Sequence, residues 1–249
     1  MKMVVCIKRV PDTASRLKIA ENKKEIVSEG IEFIVSPYDE FAVEEAIKLK
    51  ETNGSGEVIV VSLSEADASK EIRTCLAMGA DRGVQLKGKG YTDSYTTAKG
   101  LADYLKTLNP DLILFGKQAA DDDFHAIGTM VATFLNLPMA NVVSKLEIKD
   151  RHVIAERDIE GGKEKIEFNL PGVITAQKGL NTPRFAGLKG IMNAKKKPLE
   201  TVTIPDVAPL METVELTTPP PRPPGKIVGE GLAAVSTLVR LLHEEAKLI

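Results

Sequence analysis

An α/β fold with a doubly wound, mostly parallel sheet is predicted by three observations. The runs MVVCI (3–7), EVIVVSL (57–63) and DLILFG (111–116) are apolar, rich in branched side chains and free of alternation, the pattern of strands buried on both faces. Helical patterns separate them. The alternation of the two patterns continues over residues 1–136, as in consecutive βαβ units.

The elements follow in order. Residues 39–50 place Ala42, Val43, Ala46 and Ile47 at helical spacing. Residues 66–78 put Ile72, Cys75 and Leu76 on one face, and Gly79 reads as the C-cap. GVQL (83–86) is a weaker fourth strand. Residues 93–108 carry a stripe of Ala98, Leu101, Ala102, Leu105 and Leu108, and Asn109-Pro110 stops that helix. In 123–135, Phe124, Ile127, Val131, Phe134 and Leu135 recur on a face expected to be buried.

Beyond residue 136 the texture changes. NVVSKLEIKD, HVIAERDIE, KEKIEFNL and GVITA alternate with period two in part, and Glu160-Gly161-Gly162-Lys163 separates two of them as a hairpin turn would. They read either as an added β-layer or as an extension of the sheet. Residues 201–229 are rich in proline; PPPRPP (219–224) excludes a helix or a central strand and reads as an extended arm. A terminal helix follows, with Leu232, Val235, Val239, Leu242 and Ala246 on a narrow stripe. The expected division is an α/β domain over 1–200 and an arm with terminal helix over 201–249, packed on the chain's own core or on a second subunit.

Composition narrows the function classes. A net charge of −2 gives no global electrostatic case for nucleic acid. The two cysteines, Cys6 and Cys75, sit in apolar patterns without a metal-ligand spacing, which suggests no zinc site and a reducing compartment. The segment MKMVVCIKRV lacks signal-peptide architecture and no apolar run reaches 18 residues. The expectation is a soluble cytoplasmic protein, or an organelle-matrix one, without membrane insertion.

The candidate ligand site is GKQAADDDFHAIG (116–128), which follows a strand and precedes a helix. One reading makes Asp122 or Asp123 the N-cap and the other aspartates complements of the helix dipole. The other makes it a nucleotide loop, because ligands of open α/β sheets sit beyond the carboxyl ends of the strands and helix N–H groups hold phosphate. A metal would need more oxygen ligands than adjacent aspartates aim at one point. Lys8-Arg9, Ser36-Pro37-Tyr38-Asp39 and Ser62-Leu63 end or follow other strands and are expected to converge on the same pocket. No GxxxxGK[ST] motif or Rossmann fingerprint occurs, so a nucleotide site here would be non-standard. His125, His152 and His243 lie in unrelated elements and no GxSxG is present, so no catalytic residue is assigned.

A second unusual stretch is QKGLNTPRFAGLKGIMNAKKKP (177–198). It carries six basic residues and no acid between Lys178 and Leu199, with apolar Leu180, Phe185, Leu188, Ile191 and Met192 among them. The bland reading is a solvated loop before a short helix. The pattern better suits a protein-docking loop, since single-strand nucleic-acid binders interleave more aromatics.

KRVPD, VEEAIKLKE, IRTCLAMGADRG, GKQAADDD, RDIEGGKEKIEFNLPGVITA and LNTPRFAGLKGIMNAKKK stand in this order along the chain. In this it resembles the β subunit of electron transfer flavoprotein, over nearly its whole length. The resemblance implies an adenine-nucleotide α-hydrolase-like fold and a heterodimer with an α subunit that holds most of a redox-active FAD. It implies electron transfer from flavin-dependent, acyl-CoA type dehydrogenases towards a quinone oxidoreductase or another acceptor, and a structural AMP in this chain. Carried over by position, the AMP pocket is Cys6, Ser36, Pro37, Tyr38, Asp39 and Leu63. It continues through Gly116, Lys117, Gln118, Ala119, Asp121, Asp122, Asp123, Phe124, His125, Ala126 and Ile127. Leu180, Asn181, Pro183 and Arg184 become partner-docking residues, with Leu180 as the apolar anchor.

Electron-bifurcating relatives carry a second FAD in the same place and read like DGDTAQVG where this chain reads Asp121-Asp-Asp-Phe-His-Ala-Ile-Gly128. Asp122 in the glycine position resembles the AMP branch. His125, Ala126 and Ile127 replace the usual Asn-Gln-Thr, so phosphate contacts there fall to backbone N–H groups. Thr13 stands where the family often has an aromatic beside the partner's flavin. A stand-alone adenine-nucleotide- or nucleic-acid-binding module is the alternative from another class.

Overall fold

Seven parallel strands form the centre of the molecule. The computed structural model describes residues 1–222 and 224–249. The long buried runs become β1 (Lys2–Cys6), β4 (Glu57–Leu63) and β6 (Leu112–Gly116), and Val4, Ile59 and Ile113 have no exposed surface. Burial on both faces explains their lack of alternation. Two short strands, β2 (Arg9–Pro11) and β3 (Phe33–Val35), form a separate antiparallel ribbon that the sequence did not announce. The weak run around 83–86 is β5 (Arg82–Lys87).

The helices of this half are α1 (Pro37–Asn53), α2 (Ser69–Met78), α3 (Ser94–Leu108) and α4 (Ile127–Leu135). Gly79 and Asn109 terminate α2 and α3, as expected. Helix α4 begins four residues later than the spacing predicts, and Phe124 is 60% exposed instead of buried. The extended loop before α4 breaks the helical register that placed Phe124 on the apolar face.

Both readings of the second half hold in part. β7 (Met139–Val143) and β11 (Gly172–Ala176) extend the main sheet. β8 (Lys145–Lys149), β9 (His152–Ile159) and β10 (Gly162–Asn169) form an antiparallel layer of their own, with the β9–β10 hairpin at Glu160-Gly161. A short helix, α5 (Leu188–Ala194), packs on α2, and Gly190 permits it: a Cβ there would lie 2.4 Å from the Ala77 carbonyl oxygen. β12 (Leu199–Thr203) then pairs with β5 at the sheet edge, so the boundary expected at 200 falls inside a strand.

The sheet order is β12-β5-β4-β1-β6-β11-β7. One face carries α1 and α2 over Met3, Val5, Val58 and Val60, and the inward side chains Val153 and Ala155 of the added layer join this core. The other face carries α3 and α4 over Val4, Val61, Val84 and Ile113. The connections diverge between the parallel neighbours β1 and β6: the chain after β1 leads to α1 on the first face and the chain after β6 to α4 on the second. That switch point is where open α/β sheets form a crevice.

Among the described residues, the arm beyond β12 has no regular structure until a 3-10 turn at Leu232–Ala234 and α6 (Val235–Glu244). No residue of α6 is buried, and Val235 and Val239 of its apolar stripe are exposed. In the expected PPPRPP segment, Pro223 lies outside the described residues.

Candidate functional site

The switch point is closed by one buried carboxylate. Ser36 and Pro37 start α1, with Pro37 in the first turn, where a missing N–H costs nothing. This places Asp39 beneath the crevice. Its Oδ2 accepts from the Lys8 N–H at 2.7 Å and its Oδ1 from the Gly116 N–H at 2.9 Å, so α1 ties together the ends of β1 and β6. Gly116 is required, because a Cβ there would lie 2.6 Å from Asp39 Oδ1. Burial pushes the Asp39 carboxyl up to about 7, against the two N–H donors and the nearby Lys8 charge. The neighbouring Cys6 thiol is pushed well above its ordinary value by burial and by Asp39, which makes it packing and not a nucleophile.

Above Asp39 lies a cavity of about 370 Å³ on the α3/α4 side of the sheet. Leu63, Leu101, Phe115 and Ile127 give it apolar walls; Thr92, Ser94, Thr97 and Lys117 bring hydroxyls and a cation to its rim. Such a mixture suits a flat base with a polar tail.

The three aspartates are tied to Lys8 and to the loop itself. Lys8 Nζ binds Asp121 Oδ1 at 2.8 Å and Asp122 Oδ2 at 2.7 Å. Burial pulls the Lys8 ammonium down, but the two carboxylates outweigh it and hold it above the usual lysine value. Asp122 Oδ1 also accepts from the Phe124 N–H at 3.0 Å, and Asp123 accepts from the Gln118 amide. None of them caps α4. Its N-cap position is Ala126, which has no side-chain acceptor, so the cap reading of Asp122 and Asp123 is corrected. The first N–H groups of α4 stand without a side-chain acceptor at the cavity, where Ile127 and Gly128 form its floor. Backbone donors with the aspartates turned onto other partners fit a phosphate.

Of the residues singled out in the sequence, Cys6, Asp39, Leu63 and Gly116 line the cavity, as do Lys117, Gln118, Ala119, Asp122, Phe124 and Ile127. Ser36, Pro37, Tyr38, Asp121, Asp123, His125 and Ala126 do not line it. Ser36 Oγ supports the loop by accepting from the Ala120 N–H at 3.3 Å, and the Tyr38 ring lies 4.8 Å beneath Lys117 Nζ. His125 is exposed and makes no wall. Sequence reasoning missed Tyr91, Thr92, Asp93, Ser94 and Thr97. The available signal was YTDSYTT directly after a strand, but that strand was the faintest of the set.

The second stretch leaves β11, the sheet neighbour of β6. Its first half is bound to α1. Asn181 Nδ2 donates to Phe41 O at 3.0 Å and Glu45 Oε2 at 2.8 Å. Arg184 forks onto Glu44, at 2.9 and 3.0 Å, and onto Glu51, at 2.7 and 2.9 Å. Leu180 is half-buried and packs on the core under α1. Pro183 is half-buried beside it. The apolar surface turned outward is instead Phe185, fully exposed at 100%, with Leu188 and Met192.

Among the described residues no helix is long and apolar enough to cross a membrane. A family model described as an electron transfer flavoprotein domain matches residues 24–207. An electron transfer flavoprotein subunit beta of Bacillus subtilis is 40% identical, with 100% of both chains covered. A mitochondrial one of Arabidopsis thaliana is 37% identical over 100% of both, and one of Sus scrofa is 36% identical over 98% of this chain and 97% of its own.

Proposed function

The chain belongs to the electron transfer flavoprotein β-subunit family, and from that premise we propose that it is half of a heterodimeric electron carrier that keeps a structural AMP in the cavity under α3 and α4. The observation that carries the nucleotide reading is the α4 N-terminus: no side chain caps it, and the adjacent aspartates are engaged by Lys8 and Gln118 instead. The base would lie between Leu63, Leu101 and Phe115, and the phosphate would meet the N–H groups of Ile127 and Gly128 and the ammonium of Lys117. A cavity of about 370 Å³ lies at the low end for ligand pockets and favours a mononucleotide over a second FAD.

The subunit performs no bond chemistry in this reading; it is a carrier subunit and not an enzyme. FAD, held mainly by the α subunit, supplies the electron-accepting chemistry. This chain clamps that partner through the arm and α6, whose apolar stripe is uncovered in the isolated subunit. The loop after β11 docks a flavin-dependent, acyl-CoA type dehydrogenase, with Arg184 and Asn181 holding the loop on α1. Electrons then pass to a quinone oxidoreductase or another acceptor. The site of action is the cytoplasm, or the mitochondrial matrix in a eukaryote.

Co-expression with an α subunit tests this directly. A 1:1 heterodimer that carries flavin and is reduced by an acyl-CoA dehydrogenase supports it. A stable β monomer that ignores the α subunit contradicts it and points to a stand-alone nucleotide-binding module.

A further inference from the structure

The loop 88–94, whose residues Tyr91 to Ser94 form the missed wall of the cavity, is held in place by the start of the arm. Beyond β12 the arm runs beside this loop and exchanges backbone bonds with it: Ile204 N donates to Lys87 O at 2.8 Å and Val207 N to Lys89 O at 3.0 Å. Asp206 Oδ1 accepts from the Lys89 N–H at 2.8 Å, and the Tyr91 hydroxyl donates to Pro205 O at 2.6 Å. The approach is close enough to demand glycine: a Cβ on Gly90, at φ +84°, would lie 1.8 Å from Val207 O. On its other side the Tyr91 ring lies against α3, where a Cβ on Gly100 would be 2.5 Å from it.

Asp93 is the joint. It lines the cavity and its carboxylate is buried. Oδ1 caps α3 by accepting from the Thr96 N–H at 2.8 Å, while Oδ2 accepts from the arm, from Leu210 N–H at 2.7 Å and Met211 N–H at 3.4 Å. Burial works against this charge, but the three N–H donors outweigh it and hold the carboxyl below its ordinary value. One side chain thus fixes the end of α3, the wall of the cavity and the root of the arm.

We propose that residues 204–211 are a working part of the nucleotide site, and that Asp93 is the positioning residue through which the seated arm sets the wall and thereby the retention of the nucleotide. The proposal rests on the nucleotide reading above. Release of the arm at Asp93 leaves two backbone N–H groups and a carboxylate oxygen without partners, and the wall with Thr92 and Ser94 loses its outer support.

The test uses the purified heterodimer, stripped of nucleotide, and measures AMP binding by equilibrium dialysis. In Asp93→Asn the amide oxygen still caps α3, because asparagine is as good an N-cap as aspartate, but the amide N–H₂ meets the arm's donors instead of an acceptor. The AMP dissociation constant is expected to rise about tenfold with flavin content little changed, and the AMP-free heterodimer to melt lower because the arm's two N–H groups lose their acceptor. The double variant Tyr91→Phe, Asp206→Ala removes arm contacts without touching the helix cap, and a rise of about threefold is expected. It also decides the matter if Asp93→Asn does not assemble. AMP affinity equal to wild type in whichever variants assemble overturns the proposal. Wild-type heterodimer that binds no AMP instead overturns the nucleotide reading, and the proposal with it.

Discussion

Two loops leave neighbouring parallel strands at the same end of the sheet and handle their charges in opposite ways. The loop after β6 turns its carboxylates onto its own chain, Asp121 and Asp122 onto Lys8 and Asp123 onto Gln118. That leaves backbone N–H groups as its free chemistry. The loop after β11 turns its guanidinium inward, Arg184 onto Glu44 and Glu51, and leaves Phe185, Leu188 and Met192 as its free chemistry. Free backbone donors in a cleft suit a small anion. Free apolar side chains on a braced support suit a protein surface.

The largest expected effect breaks the brace. Arg184→Ala leaves Glu44, whose side chain is only 5% exposed, without a counter-charge. A loss of about 3 kcal/mol in urea unfolding is expected, since an orphaned buried charge is costly. A change under about 0.5 kcal/mol would show that the guanidinium is ornamental to the fold.

Asp39 gives the crevice end of the sheet its pH dependence. Its folded value of about 7 lies above an unfolded carboxyl. The contribution to stability is therefore fully present below about pH 4 and is lost as pH rises to 7. Relative to Asp39→Asn, wild type is expected to lose on the order of 1 kcal/mol per pH unit across that window in denaturant titrations. A difference that stays flat with pH would mean that the two N–H donors, and not burial, set this carboxyl.

Substitution within the loop after β11 sharpens the comparison and tests its proposed docking role. Phe185→Ala is expected to slow electron transfer from the dehydrogenase about tenfold at unchanged stability, because its ring touches only solvent in the isolated chain. Leu180→Ala should also weaken that transfer at unchanged flavin content, and in addition cost about 1–2 kcal/mol because Leu180 packs on the core. Equal electron-transfer kinetics in both variants and wild type would remove the docking role of this loop.

The smallest effect concerns Lys8. In Lys8→Ala the carboxylates of Asp121 and Asp122 regain their repulsion for phosphate, and AMP affinity is expected to fall about fivefold in low salt and less in high salt. An equal fall at both salt concentrations would point to a steric cause instead.

The contrast also explains what the sequence disclosed. β1, β4 and β6 were legible because burial on both faces leaves a local signature, and so were the stops at Gly79 and Asn109. β2, β3 and β12 were not: two are three-residue strands, and the third is an edge strand whose partner β5 lies more than a hundred residues away. The aspartates read as caps because a capping pattern is local, whereas Lys8 lies 113 and 114 residues distant. The basic and apolar character of 177–198 was legible by composition, but composition does not say which apolar residue faces outward. Leu180 and Phe185 look alike in sequence and differ in what lies beneath them.

The most direct measurement is the nucleotide content of the purified heterodimer, released by denaturation and identified by mass spectrometry alongside a flavin count. One AMP and one FAD per heterodimer is the expected result. Two flavins with no AMP would contradict it and assign the cavity above Asp39 to a second FAD.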